Sequence, residues 1–167
     1  MAPNPVDVVA APAEVSLAFV VEQWHRISAE LEAERAMTRL AEMLEREPCW
    51  DDLRVLAGAQ AAELDPAGRL MRLMATQRVQ AFLAGATVSE VVGLVGEDEP
   101  ASPLAERSNR HEVALALGRS KDQARCLIAT YRRMVAEFPE FVAALTAGRI
   151  TMGHCYALHE ETLVVTD

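Results

Sequence analysis

Apolar residues recur at three- and four-residue steps along most of the chain, the spacing that gathers side chains on one face of an α-helix. Leu17, Val20, Trp24, Ile27, Leu31, Leu40 and Leu44 predict a long amphipathic helix from about Leu17 to Arg46, with Ser16 as its cap. Glu22, Glu30, Glu32, Glu34, Glu42 and Glu45 fill the other side. Pro48 closes the helix, because the residue before a proline avoids the helical backbone region. The apolar stripe weakens between Leu31 and Leu40. It suits either a core helix or a homodimer formed through the 17–46 helix as a coiled coil. Residues 1–15, rich in Pro, Ala and Val, read as a flexible arm.

Start and stop signals punctuate the rest. Asp51 or Asp52 caps a short helix through Leu64. Asp65-Pro66 opens another, with Asp as cap and Pro in the first turn, and Gly85 is expected to end it. Val88 to Val95 reads as one more short helix. The stretch from Glu97 to Pro103 is acidic and aperiodic, and residues 97–108 are expected to form a linker. Asn109 and Glu112 suggest a capping box ahead of Val113–Leu117, with Gly118 as the stop. Ser120 and Gln123 form a second capping box, opening a helix to about Glu137. Pro139 starts a further element that Gly148 ends, and Thr151 caps a last helix. The expected fold is all-α: a multi-helix bundle with a long N-terminal amphipathic helix and a helix-turn-helix-like C-terminal part. An acidic helical region, 16–96, precedes the linker, and the helix-turn-helix-like region spans 109–167.

Composition agrees with helix. Hydrophobic residues make up 51% of the 167 residues and aromatics only 5%, so the apolar content is mostly Ala, Val, Leu and Met. Lys121 is the sole lysine among 16 basic residues. No run of 18 apolar residues appears, so no membrane span is expected. The N-terminus lacks the basic segment of a secretory signal. Three cysteines, Cys49, Cys126 and Cys155, are odd in number and never spaced C-x-x-C, which points away from a disulfide framework or structural zinc and toward a cytoplasmic location.

Charge is uneven. The net charge is −9. Residues 1–100 hold 17 acidic and 8 basic side chains, whereas residues 101–167 hold 8 of each. Within residues 107–133, seven basic side chains face only Glu112 and Asp122, a local charge of +5. This segment contains the two helices joined at Gly118. A helix-turn-helix wants a small residue in its first helix, glycine at the turn and apolar residues at fixed offsets. Ala114, Gly118, and Val113, Leu117, Ala124 and Leu127 meet those needs. On the second helix, Lys121, Arg125 and Arg132 fall within roughly 40° of one another at 100° per residue; Arg119 just before the helix and Arg133 within it add to the local charge. Such a stripe suits a phosphate backbone or a guanine edge. The DNA-binding candidates are therefore Arg119, Lys121, Arg125, Arg132 and Arg133.

His154, Cys155 and His159 could suggest a metal site. Histidines five apart do not share a helix face, and no further ligand is spaced to complete a tetrahedron. No nucleophile elbow, phosphate loop or paired-carboxylate pattern appears, so no catalytic or metal-binding residue is expected.

The ordered set Glu112-Val-Ala-Leu-Ala-Leu-Gly-Arg-Ser120, Ala124-Arg125, Phe138-Pro139, Ala144-Leu-Thr-Ala-Gly-Arg-Ile-Thr151 and His154 resembles the domain of unknown function 222. That domain is the N-terminal module of the 13E12 repeat family, HNH-endonuclease-type proteins of high-GC Gram-positive bacteria. The resemblance covers about 45 residues. The family commonly has small residues after the histidine, where this chain has Cys155-Tyr156. The resemblance implies an all-helical, non-catalytic N-terminal domain. The HNH module, with its histidine base and divalent metal, is implied downstream and needs residues absent here, so no cofactor is expected in this chain. The expected function is to position the protein on double-stranded DNA through the basic helix. The alternative is an oligomerisation or protein-interaction module without nucleic-acid contact.

Overall fold

The computed structural model describes residues 17–60, 64–98 and 100–164, the side chains of residues 159, 163 and 164 excepted. The expected flexible arm, 1–15, and the Ser16 cap lie outside them. Seven helices follow one another among the described residues, which contain no strand: α1 (Leu17–Glu45), α2 (Asp52–Gly58), α3 (Pro66–Val95), α4 (Pro103–Leu117), α5 (Lys121–Glu137), α6 (Pro139–Thr146) and α7 (Met152–Val164). The fold is all-α, and the long N-terminal helix is present.

Several caps sit where the side-chain chemistry places them. The Asp65 carboxylate accepts from Gly68 N–H, with Pro66 opening α3. Ser120 Oγ accepts from Gln123 N–H while the Gln123 side chain accepts from Ser120 N–H, a complete capping box. Gly118 ends α4 at φ 62°, a left-handed conformation that favours glycine. At Thr151 the arrangement differs from a simple hydroxyl cap. Its N–H donates to His154 Nδ1 at 3.1 Å, and its hydroxyl lies 2.8 Å from the same nitrogen.

Three expected boundaries move, the first at α2, which ends at Gly58 short of the expected Leu64 and has no side-chain cap from Asp51. α4 begins at Pro103, so the irregular segment is shorter than 97–108. Ser102 accepts from Ala105 N–H and Pro103 takes the first helical position, a stronger start than Asn109 could offer. Asn109 lies inside α4 and donates to Val95 O at 3.3 Å. The third correction is at Gly85, which does not end a helix. α3 runs through it to Val95, absorbing the expected short helix at 88–95. Gly85 is the point where α6 crosses α3. A Cβ placed there would lie 2.9 Å from both the backbone nitrogen and Cα of Thr146. Glycine serves as a close-approach residue here, and the strong helix formers around it, Ala81, Leu83, Ala84 and Ala86, favour continuing the helix.

α3 organises the packing. Its N-terminal half contributes Ala75 and Val79 to a cluster with Leu40 and Met43 of α1, Leu56 of α2, and Ala59 and Leu64. Its C-terminal half contributes Ala81, Val88, Val91, Val92 and Val95 to a second cluster. There it meets Val113 and Ala114 of α4, Ala124, Ile128, Tyr131 and Met134 of α5, Leu145 of α6 and Cys155 of α7. The acidic region and the C-terminal region thus share one core helix. α3 is also the one described helix long and apolar enough, by length and composition, to cross a membrane.

No described helix carries a basic residue in its last turn. Neighbouring helices supply the missing cation. Arg78 of α3 donates to the carbonyls of Met43, Leu44 and Arg46 at the end of α1, the bonds to Met43 and Arg46 being 3.1 and 2.8 Å. Arg72, also of α3, donates to Ala59 O at 2.7 Å and Leu56 O at 3.4 Å after α2. Arg132 of α5 donates to Gly96 O and Val95 O, both at 2.8 Å, closing α3. Between α1 and α2, the fully buried Asp52 carboxylate accepts from Cys49 N–H at 2.8 Å and pairs with Arg46. The hydrogen bond to Asp52 holds the Arg46 guanidinium above its ordinary pKa.

Gly85→Ala is expected to lower stability by about 2 kcal/mol, because α6 must move off α3. Gly93→Ala, at an exposed α3 position where a Cβ would meet nothing within 4 Å, is expected to raise it by about 0.5–1 kcal/mol. Denaturant unfolding of both variants checks the contrast. Arg78→Ala and Arg132→Ala should each cost about 1–2 kcal/mol by the same measurement, since each leaves helix-end carbonyls without their charged donor.

Candidate nucleic-acid interface

The Gly118 turn brings α5 back alongside α4. Ala114, Ala124 and Ile128 are buried between the two helices and the C-terminal half of α3. Along one side of the hairpin, the two helices and the segment that precedes α4 enclose a cleft of about 680 Å3. Pro103, Glu106, Asn109 and Arg110 of α4 line one wall, and Arg125, Ile128, Arg132, Arg133 and Ala136 of α5 line the other. Glu97 and residues 100–102 form the rim. Four arginines thus face two glutamates. The first turn of α4 also lies on the cleft, and a helix N-terminus carries partial positive charge.

The five arginine and lysine candidates take different positions. Arg125 is exposed on the cleft wall and makes no hydrogen bond or ion pair. Arg132 also lines the cleft, but its Nε and one Nη donate to the end of α3, so it acts first as an inter-helix cap. Arg133 donates from Nε to Glu137 at 2.8 Å, and its guanidinium carbon lies 5.9 Å from the Phe138 ring centre. Its Nη1 is buried without a partner. Arg119 and Lys121 sit exposed at the hairpin turn, outside the cleft. Arg119 borders a separate shallow hollow with Cys126, Leu127 and Tyr156. The nearby Tyr131 phenol is pushed above its ordinary pKa by burial first and by Tyr156 second, with Arg119 pulling the other way.

A sixth residue joins the group. Arg110, half-buried on α4, faces the same cleft and has no partner. It belongs to the basic segment visible in the sequence, but a stripe traced on α5 alone could not include it. Starting α4 at Ser102-Pro103 is the signal that would have placed it on the facing helix.

Chemically, the cleft offers more guanidinium donors than acceptors: Glu97 and Glu106 line it, but neither pairs with Arg110 or Arg125. An orphaned buried donor costs free energy that an anion would recover. Planar guanidinium groups match the oxygens of a phosphate or carboxylate. The histidine and cysteine near the C-terminus take other roles: His154 interacts with Thr151, and Cys155 is buried in the core, where burial raises its thiol pKa. Among the described residues no group of three or more His, Cys, Asp or Glu side chains is placed to hold a metal ion.

The chain matches no protein-family model, and no curated protein and no solved structure is detectably similar to it.

Proposed function

We propose that this chain is a non-catalytic helical module that binds the sugar-phosphate backbone of double-stranded DNA in the α4–α5 cleft. In this reading it is the N-terminal domain of an HNH-endonuclease-type protein of the kind its motifs resemble. The observation that carries the reading is a set of three arginines on one cleft whose donors are not all used within the chain. Arg110 and Arg125 have no partner, and Arg133 has a buried unpaired nitrogen. Structural arginines elsewhere in this fold are bonded to carbonyls or carboxylates, as Arg46, Arg72, Arg78 and Arg132 are. Arginines left without such partners, facing one another across a cleft, fit an external anion.

The role divides among the residues. Arg110 and Arg125 meet phosphate oxygens. Arg133, held by Glu137 and Phe138, adds its charge to the cleft wall. Lys121 and Arg119 extend the positive surface past the Gly118 turn, along a neighbouring stretch of backbone. Arg132 positions α5 against α3 and so sets the width of the cleft. Contacts of this kind are to phosphate, so the module positions the protein without reading sequence. The acidic surface of α1 repels DNA and confines binding to the hairpin side.

The test is fluorescence anisotropy of a labelled random duplex titrated with the chain at low and near-physiological salt. Binding with a Kd on the order of micromolar at low salt, weakening steeply as salt rises, is expected. Combining Arg110→Ala with Arg125→Ala should reduce the slope of log affinity against log salt by about 2, one unit for each lost phosphate contact. Arg39→Ala, on an exposed α1 position away from the cleft, should change neither. Absence of salt-dependent binding, or a double variant that binds like the wild type, would overturn the proposal.

A further inference from the structure

The N-terminal half of α1 is an apolar stripe without a covering. Trp24 is 64% exposed, Leu17 80%, and Val20, Ile27 and Leu31 about half. No α1 residue before Ala36 enters either core cluster. The docked half of the same helix uses Ala36, Met37, Leu40, Met43 and Leu44. At 100° per residue, the centre of that docked face lies about half a turn round the helix from the centre of the Leu17–Leu31 stripe. The arm therefore presents its apolar side away from the body to which its other end is attached. The weakening of the stripe after Leu31 is a change of face.

The occupant can be read from the spacing. Leu17, Val20, Trp24, Ile27 and Leu31 step three, four, three, four, the strict a/d repeat of a coiled coil over two heptads. The next d and a positions are Glu34 and Thr38, where the seam stops being apolar. Residues flanking the seam at g and e positions include Glu30 and Arg35. In a parallel two-stranded coil, a g residue faces the e residue five positions later on the other strand. Glu30 then faces Arg35 of the copy. Arg35 has no partner within its own chain, and Glu30 has only Arg26 at 4.0 Å. An antiparallel pairing sets g against g and e against e, and loses that match.

From this we propose that residues 17–31 of α1 pair with the same segment of a second copy of this chain, as a parallel two-stranded coiled coil. The apolar seam ends at Leu31, with Glu34 and Thr38 at the next d and a positions, so the strands diverge beyond the Glu30–Arg35 contacts and each helix continues into its own body. Because the docked face points the opposite way, the two bodies lie on the outer sides of the coil and do not obstruct it. Pairing also accounts for an extended helix of this length without tertiary support, since an isolated helix of about 15 residues is marginal in water. The proposal is independent of the arginine cleft, which lies on α4 and α5.

Sedimentation equilibrium of the full chain from about 1 to about 100 µM is expected to show a reversible monomer–dimer equilibrium. Ile27→Glu would bury two facing carboxylates and should weaken dimerisation by about 100-fold. Residue 27 is outside both cores, so the variant's thermal unfolding reports whether the body is still intact. The strand direction is tested by Val20→Cys in a Cys126→Ser background, Cys126 being the exposed native thiol. A parallel seam brings the two copies of position 20 together, and mild oxidation should yield a covalent dimer. A chain that stays monomeric at the highest concentration would overturn the proposal. So would an Ile27→Glu variant that dimerises like the wild type, or a Val20→Cys variant that dimerises but fails to cross-link.

Discussion

Helix ends that cannot satisfy themselves shape this protein. The last carbonyls of an α-helix have no intrahelical donors, and they gather partial negative charge. Here the helices do not place a cation in their own last turns. Arg78 and Arg72 reach from α3 to the ends of α1 and α2, and Arg132 reaches from α5 to the end of α3. Each of these bonds joins segments remote in sequence, so satisfying a helix end also fixes where the next helix lies. α3 is the giver at one end and the receiver at the other, which makes it the common element of both apolar clusters.

That constraint sorts the arginines by purpose. With a single lysine in the chain, nearly every cationic task falls to guanidinium, and a local charge count cannot separate caps from binding groups. The structure separates them by what each side chain touches. Arg132 is directed inward to carbonyls, and Arg133 is steadied by Glu137 and Phe138. Arg110 and Arg125 are left on the cleft without a hydrogen-bond or ion-pair partner. The hairpin turn at Gly118 matters chiefly because it lays α4 beside α5, so that arginines from two helices share one space.

The same separation runs along α1. Its C-terminal half is part of the body, closed off by Arg78, Pro48 and the buried Asp52. Its N-terminal half carries the most exposed run of large apolar side chains among the described residues. One helix thus serves two surfaces, with the apolar stripe changing sides between Leu31 and Ala36. A binding cleft on α4 and α5 and an association seam on α1 place the two proposed activities on different elements.

Much of the architecture was legible from local chemistry. Helical spacing, the Asp65-Pro66 start, the Ser120/Gln123 capping box and the glycines at 118 and 148 act within four residues, and they determined helix identity and most boundaries by themselves. Ser102-Pro103 carried the same kind of signal but stood in an acidic, proline-containing stretch that read as linker. Gly85 could not be interpreted locally. A glycine that ends a helix and one that admits a crossing helix look alike until α6 is seen against it. The cleft was half legible: Arg125 and Arg132 of α5 share a face by periodicity, whereas Arg110 joins them only once α4 is laid alongside. Which arginines cap and which remain free depends on carbonyls more than 30 residues away for Arg78 and Arg132. Helix formation follows from neighbours in sequence, but the pairing of charge with charge follows from neighbours in space, and only the tertiary structure decides those.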